Sequence, residues 1–403
     1  MFNEKNKNAG VAYPKGFKAA GVRAGIKKNG NLDVAVIHTE KEAAVAGVFT
    51  QNLVAAAPVH LSKIVVGTGT AHAVVANAGC ANACTGEQGI RDAEKMAEIT
   101  AHELNCRADD VIVASTGLIG SNLPMDKMEN GIKAAVKELS KDGSVNAGNA
   151  IITTDTHSKI LATEIEIGGK EVRFGAIAKG SGMICPNMAT MLCFITTDAD
   201  IDQKLLQEAL SNANEVSFNC LTVDGDMSTN DSVVVLANGA AENKKIVSRD
   251  EDYLKFYEAL KNICVELTKQ IAADGEGASK FITINVTGAQ SFSDAKQVGM
   301  SIANSPLVKT AFFGQDANPG RTICAVGYSG VKIVPEKVTI KFGGLTVFEK
   351  GLVTKFDADA MKKILAAHDI VVDIELNLGN ESATVYTCDM TFGYVKINAD
   401  YTT

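Results

Sequence analysis

One stretch constrains the fold more than any other. Residues 178–198 read AKGSGMICPNMATMLCFITTD. The first half carries Gly180, Gly182 and Pro186. Glycine loosens the backbone and proline removes a donor, so this half reads as a loop. From Thr190 onward the residues are apolar or β-branched, the pattern of a buried strand. A polar hydroxyl, that of Thr190, is thereby set where a loop runs into the core.

The rest of the chain supplies the layers that would bury such a strand. Hydrophobic residues make up 46% of the 403, yet aromatics are only 5% and Trp is absent. The core is therefore expected to be built from Ala, Val, Ile and Leu. Length allows two or three domains, but no repeat or low-complexity linker divides the chain. A helix is predicted over 249–273, where Tyr253, Phe256, Tyr257, Leu260, Ile263, Cys264, Leu267 and Ile271 recur at three- and four-residue steps. Ser248 and Glu251 before it have capping-box spacing. Two more helices are predicted, over 201–213 behind Asp200 as N-cap and over 357–367. Strands read at 231–237, 281–287, 369–376 and 383–388. Gly343-Gly344 between VTIKF and LTVFEK signals a hairpin. The strands group as antiparallel neighbours and not in strict strand–helix alternation. The expected class is α+β, layered sheets flanked by helices, in preference to a doubly wound sheet.

Several function classes recede. The formal net charge is -8, from 39 Lys plus Arg against 47 Asp plus Glu, which argues against a polyphosphate partner such as nucleic acid. No stretch approaches the roughly 20 apolar residues that span a bilayer, and MFNEKNKNAG lacks the apolar segment of a secretory signal. The nine cysteines (Cys80, Cys84, Cys106, Cys185, Cys193, Cys220, Cys264, Cys324 and Cys388) are scattered, so free thiols in a reducing, cytoplasmic setting are expected. No second Cys or His pair completes a zinc spacing, so no metal is expected. Lys179-Gly-Ser-Gly lacks a phosphate-loop frame, Gly67-Thr-Gly69 and Gly275-Glu-Gly277 lack a third glycine, and no G-x-S-x-G elbow is present. The six histidines stand apart and nominate no triad.

Thr190 is what remains. A threonine hydroxyl is a weak nucleophile without a base beside it. One solution makes the threonine a chain start, because an α-amino group has a pKa of about 7.7–8.0, close to where a general base works best. From its local sequence alone, Thr190 reads first as an ordinary strand-entry residue.

The order of motifs decides between them. AKGSGM followed by NMATMLCFITTDA resembles the self-cleaving segment of the ornithine acetyltransferase family, the bifunctional glutamate N-acetyltransferases of arginine biosynthesis. The likeness runs through YPKGFKAAG (13–21), GVFTQNLVAAAPV (47–59), NACTGEQG (82–89), ASTGLIG (114–120), TTDT (153–156), VDGDMSTND (223–231), DGEGASK (274–280) and the terminal YVKINADYTT. Any one block is weak; all of them in family order are specific. Cys80, Cys185 and Pro319 depart from the family's usual Asn, small residue and Trp, which touches packing and substrate preference more than chemistry.

The resemblance implies self-cleavage between Ala189 and Thr190, giving an α chain of residues 1–189 and a β chain of 190–403. It implies a layered fold similar to that of N-terminal nucleophile enzymes. Thr190 would take acetyl from N-acetylornithine, release ornithine, and pass the acetyl group to glutamate to give N-acetylglutamate. Thr116 and Gly117 would form the oxyanion hole. Thr153, Lys179, Thr190, Glu276, Asn398 and Thr403 would bind substrate. The resemblance implies no cofactor, a cytoplasmic enzyme, and a heterotetramer of two α and two β chains. It does not separate members that also use acetyl-CoA from those that do not. An amidase or aminopeptidase with the same kind of nucleophile is the alternative, and a non-catalytic metabolite-binding protein is a third reading that predicts an uncut chain.

Overall fold

The structure, a computed structural model, describes residues 8–185 and 191–400. Fourteen strands are formed among them: β1 Phe17–Val22, β2 Val34–Phe49, β3 Thr70–Cys80, β4 Val111–Leu118, β5 Lys159–Ile167, β6 Lys170–Lys179, β7 Leu192–Thr197, β8 Ser232–Ala237, β9 Phe281–Ala289, β10 Thr339–Phe342, β11 Leu345–Glu349, β12 Leu352–Val353, β13 Asp369–Glu375 and β14 Glu381–Cys388. They build an eight-stranded sheet in the order β4-β3-β2-β8-β7-β6-β5, with β1 also on β2, and a six-stranded sheet in the order β12-β11-β10-β13-β9-β14.

The strand predicted to follow Thr190 is β7, an interior strand of the larger sheet between β8 and β6. All six of its residues are buried, because helices cover both faces. Cys193 and Ile195 point to the layer formed by the helices Gln203–Glu215 and Glu251–Ala273. Leu192 and Phe194 point the other way, into a core shared with Val59 and Val65 of the helix Ala57–Thr68 and with Ala147 and Ala150 of the helix Ser144–Ile151. A continuous apolar run is what a strand covered on both faces requires.

The helix Glu251–Ala273 also joins the two sheets. Phe256, Leu260, Ile263 and Leu267 share one core with Phe174 of β6 and with Tyr386 and Cys388 of β14. The opposite face of the smaller sheet, with Ile284, Val372 and Val385, packs on Val298, Ile302 and Phe312 from helices of its own. The layered α+β class is therefore observed.

The details differ from the sequence reading in two respects. Parallel pairs are present, β3 with β4, β7 with β8 and β9 with β13, joining strands separated by helices. Two helix starts also shift. Asp250 and not Ser248 caps the long helix, accepting from Tyr253 N at 3.1 Å while Ser248 Oγ donates to its other oxygen at 2.9 Å. Asp202 and not Asp200 caps the helix Gln203–Glu215 by accepting from Lys204 N at 2.9 Å. In both cases the carboxylate nearest the free N–H groups takes the cap. The hairpin forms as expected, with Phe342 opposite Leu345 and both turn glycines at positive φ, +53° and +84°.

Phe256 meets Phe174 with ring centroids 5.2 Å apart at the centre of the shared core. Phe256→Ala is expected to cost about 3–5 kcal/mol of stability, read as a lowered urea midpoint.

Candidate functional site

A cleft opens where the ends of β4 and β6 meet the segments that precede β5, β8 and β9. Thr116, Gly117, Thr153, Lys179, Glu276 and Asn398 all line it, together with Ser228, Thr229 and Asn230. Six residues singled out from the sequence are thus brought together from five places in the chain. Ala189, Thr190 and Thr403 lie outside the described residues.

Gly117 stands on a bulge at the end of β4, where Cys80 faces both Thr116 and Leu118. Its φ is +129°, and a Cβ there would lie 2.4 Å from the carbonyl carbon of Gly79. Only glycine lets the two strand ends approach so closely. The bulge is held by an amide network. Asn230 Nδ2 donates to Ala81 O at 2.6 Å and to Ser115 O at 2.9 Å. Ser115 Oγ donates to Asn77 Oδ1 at 2.7 Å.

Lys179 ends β6 with its side chain buried and its Nζ 3.5 Å from Thr116 Oγ1. Burial lowers its pKa, opposed by Asp155, Asp231 and Glu276 and assisted by Lys159. A cation this poorly solvated is poised to take up an anion.

Glu276 reaches the cleft from a tight loop. Its N–H donates to Ser181 O at 3.0 Å, and Ser181 Oγ donates to Asp274 O at 2.6 Å. A Cβ on Gly182 would lie 2.2 Å from the Glu276 carboxyl carbon, so any side chain at 182 would displace it. The terminal helix Phe392–Asp400 closes this side. Thr391 Oγ1 donates to Gly277 O at 2.6 Å, and Asn398 Nδ2 donates to Glu276 Oε2 at 2.8 Å. Asn398 is therefore presented from a helix.

Beneath the cleft lies a buried ion cluster that the sequence reading missed. Lys159, fully buried, donates to Asp155 Oδ1 at 2.6 Å, to Gly180 O at 3.0 Å and to Asp274 Oδ2. Asp155 also accepts from Gly180 N at 2.6 Å and from Thr153 N at 3.1 Å. Burial alone would push Asp155 up, but Lys179, Lys159 and the Gly180 N–H together outweigh it and hold the carboxyl at about 2. Asp155 and Asp274 stand inside the TTDT and DGEG blocks; their signal was a charged residue among small ones. Asp231, also missed, is buried with Oδ1 accepting from Met191 N at 3.0 Å.

Among the described residues no group of His, Cys, Asp and Glu could hold a metal ion, and no helix is long and apolar enough to cross a membrane. The described cysteines are free. A buried hydroxyl, a strained glycine at a strand end, a desolvated lysine and a carboxylate in one cleft make a site for acyl-group chemistry on a small charged molecule. The chain is similar to the ArgJ family over residues 18–403. It is 50% identical over 396 residues to the arginine biosynthesis bifunctional protein ArgJ of Symbiobacterium thermophilum, covering 98% of both chains. It is 46% identical over 390 residues to that of Geobacter sulfurreducens, covering 96% of this chain and 99% of the relative. The solved ArgJ structure from Bacillus halodurans matches at 45% identity and a TM-score of 0.50, over 52% of this chain and 98% of that one. This chain belongs to the ArgJ family, the bifunctional acyltransferases of arginine biosynthesis.

The cluster under the cleft has a measurable signature. Asp155 falls from an ordinary 3.8 to about 2 on folding. The unfolded chain therefore binds this proton first as pH drops. The contribution, on the order of 2 kcal/mol, is fully present above about pH 4 and is lost as pH falls towards 2. Asp155→Asn should remove that part of the acid sensitivity in urea unfolding at a series of pH values. Lys159→Met, which strands two buried carboxylates, should cost about 3–5 kcal/mol.

Proposed function

We propose that the chain cuts itself between Ala189 and Thr190 and then transfers acetyl from N-acetylornithine to glutamate through an O-acetyl-Thr190 intermediate. The observation that carries this reading is the convergence of Thr116, Gly117, Lys179, Glu276 and Asn398 on one cleft. Asp231, which holds Met191, follows directly on the cleft-lining Ser228–Asn230 segment. Residue 190, the proposed nucleophile, is bonded to Met191.

The chemistry follows in order. In maturation, Thr190 Oγ adds to the Ala189 carbonyl, the acyl group moves from N to O, and water hydrolyses the ester. The freed α-amino group then takes the proton from Oγ as Oγ attacks the acetyl carbonyl of N-acetylornithine. Thr116 Oγ1 and the Gly117 N–H donate to the oxyanion. Ornithine departs with the proton on its α-nitrogen. Glutamate's amine attacks the acetyl ester, and Thr190 Oγ is restored. Lys179, Thr153 and Thr403 hold the zwitterionic substrate, with Lys179 meeting its carboxylate. Glu276 faces the side-chain ammonium of the ornithine half, and Asn398 offers an amide beside it.

Two further facts support the reading. The Bacillus halodurans chain is matched over nearly its whole length by about half of this one, as a product of mid-chain cleavage would be. The curated relatives, by contrast, match along the full chain. The resemblance also assigns the mature enzyme to the cytoplasm as a heterotetramer of two α and two β chains.

A denaturing gel should show two fragments of similar size, and Edman degradation of the second should begin Thr-Met-Leu. Thr190→Ala should leave one chain without transferase activity. An uncut wild type that is fully active would overturn the maturation step. Acetate released without glutamate would favour the amidase reading. Acetyl-CoA, tested beside N-acetylornithine, decides whether both donors serve.

Thr116→Ala should lower turnover by roughly 10²-fold or more, with a smaller change in KM. Weakened binding at normal turnover would reassign Thr116 to substrate recognition.

A further inference from the structure

We propose that the cavity lined by Lys27, Lys28 and Asn29 is a second arm of the site, in which Lys27, a specificity-determining residue, receives the side-chain carboxylate of glutamate. The proposal rests on the acetyl-transfer reading above and deepens it.

The cavity lies against the cleft. Thr153 lines both. Gly79, on the cavity wall, is the residue against which Gly117 packs, and Leu118 follows Gly117 on β4. The cleft encloses about 120 Å³ and the cavity about 260 Å³, so the larger free volume is on the lysine side.

The loop that carries Lys27 is built to hold its shape. Buried Asp33 accepts from Ala24 N at 2.6 Å, Gly25 N at 3.0 Å, Ile26 N at 2.6 Å and Lys27 N at 3.0 Å. A Cβ on Gly79 would lie 3.2 Å from Ile26 Cγ2 and 3.3 Å from Lys27 Cγ, so the loop rests directly on that strand end. Lys27 Nζ donates to Leu32 O at 2.7 Å and to Ala150 O at 3.4 Å. Ala150 belongs to the last turn of the helix Ser144–Ile151, where the helix dipole favours a cation. Both partners are neutral carbonyls, and among the described residues no carboxylate is bonded to Nζ. An ammonium has three donors, so a third is left for a ligand.

The charges divide the site. The charged residues lining the cavity are Lys27 and Lys28, both cations, whereas the cleft carries Glu276 beside Lys179. Burial draws Lys27 down to about 8, against the pull of Asp33 and Asp155 and with the help of Lys179. Lys27 therefore shares one field with the groups around the cleft and is a poorly solvated cation at neutral pH. An anion gains more from such a partner than from a lysine in water.

Ornithine and glutamate share an α-amine and an α-carboxylate and differ in side-chain charge. With the α-carboxylate on Lys179, the side chain leaves Cα in one of three staggered rotamers. Ornithine's ammonium is drawn to Glu276 and repelled by Lys27 and Lys28. Glutamate's carboxylate is repelled by Glu276 and drawn to Lys27. One position for the α-amine then serves both half-reactions, while the two side chains occupy different arms.

The test follows both half-reactions of the cut, full-length enzyme. In a ping-pong scheme kcat/KM for each substrate reports its own half-reaction. For Lys27→Met, kcat/KM for glutamate should fall about tenfold or more. The value for N-acetylornithine, and the burst of ornithine released from N-acetylornithine alone, should stay near wild type. Glutamine, the neutral isostere, should be a poorer acceptor than glutamate for the wild type, and Lys27→Met should shrink that preference by the same factor. Lys28 is exposed, so Lys28→Glu should fold and gives an answer even if Lys27→Met does not. It should lower kcat/KM for glutamate and leave that for N-acetylornithine in place. Donor and both acceptors falling together would mean a loosened loop and overturns the proposal. Unchanged glutamate kinetics in Lys28→Glu and in folded Lys27→Met would leave the carboxylate to Asn398 and overturns it as well. A wild type without an ornithine burst fails the acetyl-transfer reading itself, a result distinct from these.

Discussion

The site depends on one buried ammonium. Lys159 binds Asp155, Asp274 and the Gly180 carbonyl at once. These partners belong to three segments: the stretch ahead of β5, the loop that presents Glu276, and the turn that follows Lys179. Two carboxylates and one ammonium would leave a net negative charge in a place that water does not reach. Lys179, buried close by, offsets it. Such a cluster is poor evidence for stability, because desolvation offsets most of the attraction. Its value is positional. The neighbouring ends of β5 and β6 are tied to the loop ahead of β9, a strand of the other sheet, and the groups that line the cleft inherit that precision.

Close backbone approach does the rest of the shaping. Gly117 lies against Gly79, and Gly182 lies against Glu276. Gly277, at φ +67°, lets the Glu276 loop meet the terminal helix at Gly393. The consequence is a cleft whose walls are largely backbone and whose few side chains are fixed by hydrogen bonds. In the proposed chemistry an acyl group changes hands between two amines whose side chains carry opposite charges. A site that met both with mobile side chains would be reordered at every half-reaction, with the entropy cost that this entails. Here Glu276 already has a neutral donor, Asn398, on one oxygen. That bond can be exchanged for one to an ammonium, and the amide so released can face a carboxylate.

How much of this was legible in the sequence follows from distance along the chain. The buried strand β7, the hairpin at Gly343-Gly344 and the long helix through Phe256 are written in local periodicity and turn chemistry, and the structure contains them. Thr116, Glu276 and Asn398 were legible only through the order of motifs, since nothing local distinguishes a lone Glu from a solvated one. The ion cluster was not legible because Lys159 and Asp274 are 115 residues apart and neither announces burial. The parallel pairs were hidden for the same reason: β7 meets β8 across two intervening segments that could equally have led elsewhere. Helix caps were missed by two residues, because a carboxylate two positions on competes for the same N–H groups.

The position of β7 explains why a reacting group would be put at its start. A strand buried on both faces cannot shift register without moving apolar side chains into the wrong layer. Its first described residues are pinned from both neighbours, Leu192 by Lys179 on β6 and by Ser232 on β8, and Met191 by Asp231. Between β6 and the undescribed segment, residues 180–185 belong to no strand. In the proposed maturation, a strand held this firmly from both neighbours lets one peptide bond ahead of it be given up without loosening the sheet that holds the site.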